Sequence, residues 1–203
     1  ALVVAILPKE IPFSAEWLVV ASASADSKSD AIKTAILRGL AGQGVQLALT
    51  PELTAALKKL LAQPALAAAT LPLVTKWDTG GVLKAEVTAE LAKLMKLFRD
   101  DVKASEDLRL AAAMGLIGGR NAGATILGEV FETLGSDSLS TGLKLRLVQS
   151  LGEQADAEVG KNLAFAFARL PKEVQPAAFE AVLKRPEATN ALLDAVNAGT
   201  IDR

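Results

Sequence analysis

Apolar positions recur at helical spacing along most of the chain, and residues 104–119 show this most clearly. Ser105 stands as an N-cap, two acidic residues follow it, and small or apolar residues then recur at intervals of three and four. These positions are Leu108, Ala111, Ala112, Gly115 and Leu116. Gly118 and Gly119 favour the end of a helix. The pattern predicts a helix over 104–119, followed by a turn.

The same pattern occurs twice more. A forward shift of 35 residues places the cap on Ser140 and the basic Arg109 on Lys144. The same shift places the apolar stripe on Leu143, Leu147 and Leu151. A backward shift of 76 residues places them on Ser29, Ile32, Lys33, Ile36, Gly39 and Leu40. Shifts of one and two units of this size are typical of two-helix solenoid repeats.

Repetition assigns roles to the residues of the pattern. We expect Leu108, Ala112 and Leu116 to be stacking positions between repeats. We expect Gly115, with its counterparts Gly39 and Ser150, to let neighbouring helices approach closely. Any two amphipathic helices rich in Ala and Leu align to some degree, but here the cap, the basic residue and the stripe coincide.

The rest of the chain predicts about ten or eleven helices with short loops. Ser14 should cap an early helix, Thr50-Pro51-Glu52 starts another, and Pro171 should open a late one. Pro72 should bend the helix over 64–77. Residues 1–7 are apolar and suit either the end of an earlier helix or a remnant of a signal segment.

Particular side chains are expected on inward helix faces. The largest sets are Leu53, Ala56, Leu57, Leu60 and Leu61; Val87, Leu91, Leu94, Met95 and Phe98; and Ile126, Leu127, Val130, Phe131 and Leu134. Later inward positions include Leu163, Phe165, Phe167, Leu170, Val182, Leu183, Leu192, Leu193 and Val196. Because no Ser/Gly/Pro-rich linker interrupts the series, residues 1–203 are predicted to form a single domain.

The composition agrees with close-packed helices and excludes several classes of reaction and of binding partner. The chain is 51% hydrophobic but 4% aromatic, and its β-branched residues do not alternate as strands require. The net charge of −1 gives no electrostatic case for nucleic acid or an anionic membrane. The absence of Cys and His removes thiol and imidazole chemistry, including the usual metal ligands and general bases. The longest uncharged run, 60–75, contains two prolines and is too short to span a membrane.

Candidate binding residues are few, and each has a structural alternative. Trp17 and Trp77 could anchor a partner, but their helical spacing favours the core. Lys58-Lys59 and the Lys93/Lys96/Arg99 face could form a basic strip, although a solvated helix face is the simpler interpretation.

Catalytic signals are equally weak. Arg99-Asp100-Asp101 and Asp194 supply carboxylates, but the surrounding sequence contains nothing that would tune a pair for acid–base work. Residues 118–123 are glycine-rich, yet they follow a helix, so a helix junction is favoured over a phosphate loop. We therefore predict no catalytic, cofactor-binding or metal-binding residues, and no enzyme.

Residues 109–119 and 144–152 resemble the first helix of HEAT-type repeats, which carries a basic residue, an Ala-rich stripe and a small-Leu-Gly ending. Pro72 also fits, because first helices of that family are often bent at proline. The family's acidic-then-basic ladder is partial, since Gly142 stands where the third copy would have its acid.

A second resemblance concerns 185–201, which looks like the region before the cytochrome domain in large exported haem-binding proteins of planctomycete-like bacteria. In that family a HEAT-like helical domain stands between a propeller-type module and a c-type cytochrome. The resemblance implies a helical spacer, a periplasmic or exported location, and neighbouring domains as partners. The chain has no Cys-x-x-Cys-His, so no haem-binding residue carries over.

Two functional hypotheses follow. The first is a right-handed α-solenoid of HEAT/armadillo-like antiparallel helix pairs, acting as a non-catalytic scaffold for a protein partner or neighbouring domains. The second is a compact all-α bundle that carries a small apolar ligand. An enzyme is a distant third.

Overall fold

The computed structural model describes residues 12–26, 29–154 and 156–199. Every regular element in these ranges is helical, which confirms the predicted all-α class. The α-helices are α1 Pro12–Ser24, α2 Asp30–Gly42, α3 Pro51–Leu61, α4 Pro64–Trp77, α5 Lys84–Arg99, α6 Glu106–Gly118, α7 Ile126–Gly135, α8 Thr141–Gly152, α9 Ala157–Ala166, α10 Gln175–Leu183 and α11 Pro186–Asn197. Short 3₁₀ helices follow α6 at Arg120–Ala122 and α9 at Phe167–Arg169. The segments predicted at 1–7 and 201–203 lie outside the described residues.

The helices form two compact units. The first contains the described residues up to Leu94 together with Met114–Gly123, and the second contains Met95–Ala113 and the described residues from Ala124 onward. Helices α5 and α6 therefore each contribute residues to both units.

Within each unit, helices pack against the next helix and also against the next but one. In the first unit α1 packs on α2 and α3, α2 packs on α4, and α3 packs on α4. In the second, α7 packs on α9, α8 on α9 and α10, α9 on α10 and α11, and α10 on α11. Each unit therefore combines contacts between neighbouring helices with contacts between next-but-one helices.

The predicted inward faces of three helices are confirmed. All five positions named for α3 are buried, as are all five on α5 and all five on α7. Each set follows the spacing of three and four that brings side chains onto one helix face. Burying these faces against neighbouring helices is the main source of stability for short helices such as these.

Some helix starts follow local capping chemistry, whereas Ser29, the predicted cap of α2, makes no cap hydrogen bond through its side chain. The hydroxyls of Thr50 and Ser140 accept hydrogen bonds at 3.1 Å from the backbone N–H three residues on, as predicted for α3 and α8. Helix α1 begins at Pro12, before Ser14, so Ser14 is not its cap. Helix α10 begins at Gln175 because 171–174 form a turn, in which Val174 N–H donates to the Pro171 carbonyl.

Two predicted stacking positions are wrong. Leu108 is 54% exposed and Ile32 is 66% exposed, whereas the third counterpart, Leu143, is buried. The spacing is the same in α8, so it does not decide whether a neighbouring helix covers the first position of the stripe. The start of the stripe in α2 and α6 lies outside the buried face, while Ala112 and Leu116 remain in it.

Candidate interaction surfaces

The two tryptophans have opposite environments. Trp77, at the end of α4, is 2% exposed and its indole N–H donates to the Val45 carbonyl at 3.0 Å. The core prediction is confirmed for Trp77. Trp17 on α1 is 67% exposed, so the same prediction is wrong there. Helical spacing cannot distinguish the buried tryptophan from the exposed one, because it does not indicate which face of α1 a neighbouring helix covers.

Two of the predicted basic residues of the first unit, Lys58 and Lys93, are paired with acids. The Lys58 ammonium on α3 contacts Glu86 on α5, and this hydrogen bond holds the pKa of Glu86 below its ordinary value. The Lys93 ammonium lies 2.9 Å from the buried carboxylate of Glu90. Lys58 and Lys93 therefore belong to solvated helix faces on which an acid neutralises the lysine, as the simpler interpretation expects.

The end of α5 carries another ion pair. The Arg99 guanidinium donates to the Asp100 carboxylate at 2.8 Å, which lowers the pKa of Asp100 and raises that of Arg99. The Asp101 carboxylate accepts hydrogen bonds from the N–H groups of Lys103 and Ala104 at 3.2 and 3.1 Å. The Asp101 carboxylate therefore stabilises the turn after α5, and the Asp100 carboxylate is paired with Arg99.

The basic residues at equivalent positions of the three sequence copies are buried. Lys33 and Lys144 are each 3% exposed and Arg109 is 6% exposed. The Lys33 ammonium donates to the Ala25 carbonyl at 2.9 Å, just after α1. The Arg109 guanidinium donates to the Phe98 carbonyl near the end of α5 at 3.0 and 2.8 Å, and to the Ser138 carbonyl at 3.2 Å. Carbonyls at a helix C-terminus lack helical partners and carry partial negative charge, so a buried cation satisfies them.

The glycine-rich stretch lies at a helix junction. Gly118 ends α6, and the 3₁₀ helix Arg120–Ala122 leads towards α7. A Cβ atom at Gly118 would collide with the ring of Pro72 in α4, and one at Gly115 would lie 2.7 Å from Ala68 Cβ. The glycines at 115 and 118 thus allow α6 and α4 to approach closely, as predicted for Gly115.

A cleft of about 300 Å³ lies in the first unit between the end of α4, the start of α5 and the 3₁₀ helix. Asp78 lines it, and its carboxylate accepts from Val82 N–H at 2.8 Å and Leu83 N–H at 2.6 Å. The exposed side chains of Lys84, Thr88 and Asn121 also line the cleft. Its size is at the lower limit for ligand sites, and polar and apolar side chains contribute to its lining about equally, whereas pockets for apolar ligands are lined mostly by apolar side chains.

Several predicted inward side chains of the second unit face solvent instead. Leu183, Leu193 and Phe165 are 50%, 55% and 63% exposed. Phe179, which lies one helical turn before Leu183 on α10, is also exposed. Its ring meets that of Phe167 edge-on, with centroids 6.5 Å apart.

Phe179 and Leu183 lie on the side of α10 away from α8, and Leu193 lies on the side of α11 away from α9. A Cβ atom at Gly152 of α8 would lie 2.9 Å from Ala181 Cβ, so Ala181 marks the side of α10 that faces α8. Phe179 and Leu183 stand two residues either side of Ala181, which is about half a rotation around the helix.

Leu193 lies on the side of α11 that faces away from α9, as Phe179 and Leu183 lie on the side of α10 that faces away from α8. A Cβ atom at Gly160 of α9 would lie 2.9 Å from Ala188 Cβ, which marks the side of α11 facing α9. Leu193 is five residues further on, about 140° around the helix. We call Phe179, Leu183 and Leu193 the outer face. Phe179 and Leu183 are neighbours four residues apart on α10, and exposed apolar side chains of this kind can bind another surface through the hydrophobic effect.

Comparison of the chain with family models, with curated proteins and with solved structures gives no match. Among the described residues, no helix combines the length and apolar character needed to cross a bilayer. Within the same ranges, side chains able to ligate a metal do not gather in groups of three or more.

Proposed function

We propose that the chain is a non-catalytic interaction module built from stacked antiparallel helix pairs, a right-handed HEAT-like solenoid that presents helix surfaces to a protein partner or to neighbouring domains. The observation that carries the proposal is the outer face, where Phe179, Leu183 and Leu193 remain exposed on well-packed helices. Large exposed apolar side chains that are neighbours, as Phe179 and Leu183 are on α10, are a common mark of protein-binding surfaces.

The packing order supports the stacked architecture. Contacts between next-but-one helices recur in both units, from α1 with α3 to α9 with α11. Small residues lie at several of these contacts, including Gly152 against Ala181 and Gly160 against Ala188. In a solenoid each pair covers the apolar face of the pair before it, and that is the role these contacts would play.

Polar contacts recur with the same sequence separation. The Thr50 hydroxyl, the cap of α3, donates to Glu16 on α1 at 2.5 Å, and the two residues are 34 apart. The Ser140 hydroxyl, the cap of α8, donates to Glu106 on α6, again 34 residues away. A helix cap tied to an acid of the next-but-one helix in two places is consistent with a repeated structural unit.

The alternative is a compact bundle that carries a small apolar ligand. The cleft beside Asp78 does not favour it, because polar and exposed side chains contribute much of the lining. No observation on the described residues favours an enzyme over an interaction module, and the proposal assigns the carboxylates structural roles.

Solution scattering at low protein concentration tests the architecture. A stack of helix pairs gives an extended or curved particle, whereas a closed bundle of the same mass gives a compact one. A compact profile would overturn the solenoid.

The role of the outer face is tested by Phe179→Ser and Leu183→Ser. If the face binds a partner and contributes nothing to folding, both variants should melt within a few degrees of wild type. Leu192→Ser, at a buried position on α11, is the destabilising control. A loss of stability at Phe179 or Leu183 as large as at Leu192 would show that the face belongs to the core.

A further inference from the structure

We infer that the extended segment between α2 and α3, residues 44–49, binds an extended peptide of a partner protein by pairing with it as a β-strand. The peptide would lie along the backbone edge of the segment that faces away from α4. This segment shares no residue with the outer face. The inference therefore goes beyond the proposed function and does not depend on it.

The segment has the extended backbone of a strand. Residues 44–50 contain neither a turn nor a bend, and none of them has a positive φ. Exposure alternates along the segment, so that the exposed residues are Gly44, Gln46 and Ala48, and the half-buried residues are Val45, Leu47 and Leu49. A period of two is typical of a strand that rests one face on the protein body. The other face is open, since a Cβ atom at Gly44 would meet nothing within 4 Å.

Helix α4 holds one backbone edge of this segment. The Trp77 indole N–H donates to the Val45 carbonyl at 3.0 Å, and the Lys76 ammonium donates to the Gln43 carbonyl. In an extended backbone the polar groups of one residue point to one side, and those of the next residue point to the opposite side. Because the carbonyls of residues 43 and 45 point towards α4, the N–H and C=O groups of the even-numbered residues point away from it.

The even-numbered edge is open for pairing. Among the residues that the structure describes, none makes a hydrogen bond to the backbone groups of Gly44, Gln46 or Ala48. These groups recur every second residue, about 7 Å apart, as they do on the edge of a sheet. Another extended backbone supplies acceptors and donors at that spacing, whereas a helix uses its backbone groups internally. The hydrogen-bonding pattern therefore specifies an extended peptide as the occupant.

The edge lacks the features that normally prevent strand pairing. Proteins protect exposed edges with charged side chains, proline or a bulge. Residues 44–49 contain no charged residue and no proline. The half-buried Val45, Leu47 and Leu49 keep some apolar surface accessible beside the edge. We therefore expect the partner segment to carry apolar residues at every second position, so that they contact this surface.

The test is an NMR titration of the full 203-residue chain with a synthetic octapeptide. Three valines alternate with three threonines in the peptide, and a lysine at each end keeps it soluble. The backbone amide signals of Gly44, Gln46 and Ala48 should shift as the peptide is added, because their N–H groups gain acceptors. A titration to about 2 mM detects the weak affinity that a few main-chain hydrogen bonds provide.

Gln46→Pro is the test variant, because proline removes one N–H from the open edge. It should weaken peptide binding at least about tenfold, since its ring also obstructs the approach of a strand. Gln46→Ala is the matched control, which removes the same exposed side chain but keeps the N–H, and it should bind like wild type. Ala48→Pro repeats the test at a second position of the same edge. Circular dichroism should show that all three variants fold.

Three outcomes would overturn the inference. They are unchanged amide signals at the highest peptide concentration, binding by the two proline variants that equals that of Gln46→Ala, and shifts of the same signals without peptide as the protein concentration rises. The last outcome would assign the edge to a second copy of the chain. None of them affects the proposed function, because melting and scattering test the outer face and the solenoid without the peptide.

Discussion

Buried cations are the most informative single residues in this protein. Lys33 and Arg109 occupy equivalent positions in the sequence copies, and each donates hydrogen bonds to backbone carbonyls at the end of the preceding helix. A buried cation is costly unless its donors are satisfied, and here they meet acceptors that also need partners. The basic residue of the pattern is therefore better explained as a tie between helices than as part of a binding surface.

Replacement of Arg109 by Met tests this role. The change keeps most of the aliphatic packing but leaves the Phe98 and Ser138 carbonyls without these donors, so we expect a loss of about 2–3 kcal/mol in the free energy of unfolding. Urea denaturation followed by circular dichroism measures it. Arg146→Met is the control, because Arg146 is exposed and pairs with Asp107 at the surface, where an ion pair contributes about 0–1 kcal/mol. Equal losses in the two variants would contradict the role assigned to Arg109.

At the scale of helices, close approach depends on residues without side-chain bulk. Gly115 on α6 would place a Cβ atom 2.7 Å from Ala68 Cβ and 2.8 Å from Ala68 Cα. The second distance is to the backbone of α4, which cannot rotate away as a flexible side chain can. The helix pair must therefore separate or shift if position 115 gains a methyl group.

Gly115→Ala should consequently destabilise the protein by about 1–3 kcal/mol, even though Ala is the better helix former. Gly128→Ala on α7 is the matched control, because a Cβ atom at Gly128 meets nothing within 4 Å. The control should be neutral or gain up to about 1 kcal/mol. Thermal melting of both variants measures the difference. A stabilised Gly115→Ala variant would show that α6 and α4 are not in close contact.

The Lys58–Glu86 pair links α3 to α5 and predicts a pH effect. The pKa of folded Glu86 lies below its ordinary value of 4.5, so the pair contributes stability above that pH. The contribution is lost as the pH falls through the lowered pKa of the folded state. Below pH 4.5 the stability of wild type should therefore approach that of Lys58→Met, when unfolding is measured across the acid range. Lys59→Met, at the exposed neighbouring lysine, is the control. The difference in stability between this variant and wild type should not shrink as the pH falls.

At the scale of the whole molecule, α6 is one of two helices that contribute residues to both units. Leu116 is fully buried near its end, whereas Leu108 in its first turn is exposed. Replacing each of these leucines by Asp makes the same chemical change in the same helix. Any difference in stability between the two variants therefore comes from burial.

Leu116→Asp should unfold a large part of the protein. A buried carboxylate without a partner costs several kcal/mol, which is comparable to the total stability of a domain. Leu108→Asp should change the stability by less than about 0.5 kcal/mol. The helical circular dichroism signal and the melting temperature measure both variants. Full helical signal and an unchanged melting temperature for Leu116→Asp would exclude its role in the core.

Much of the local structure was predictable. The helix starts at Thr50 and Ser140 follow from capping, and the inward faces of α3, α5 and α7 follow from spacing. The outer face was not predictable, because Leu183 and Leu193 show the same spacing as buried leucines. The exposure of Trp17 was missed for the same reason. The burial of Arg109 was also missed, since composition alone treats basic residues as solvated.

The sequence by itself therefore determined the all-helical class, the approximate ends of most helices and the absence of cysteine and histidine chemistry. These properties depend on residue types and on neighbours a few positions away. Only the tertiary structure decided which apolar stripes are covered and which cations are buried. Burial depends on where another helix packs, and the residues of one helix do not by themselves indicate where that neighbour lies. The exposed outer face of α10 and α11 is the clearest consequence, and the proposed function follows from it.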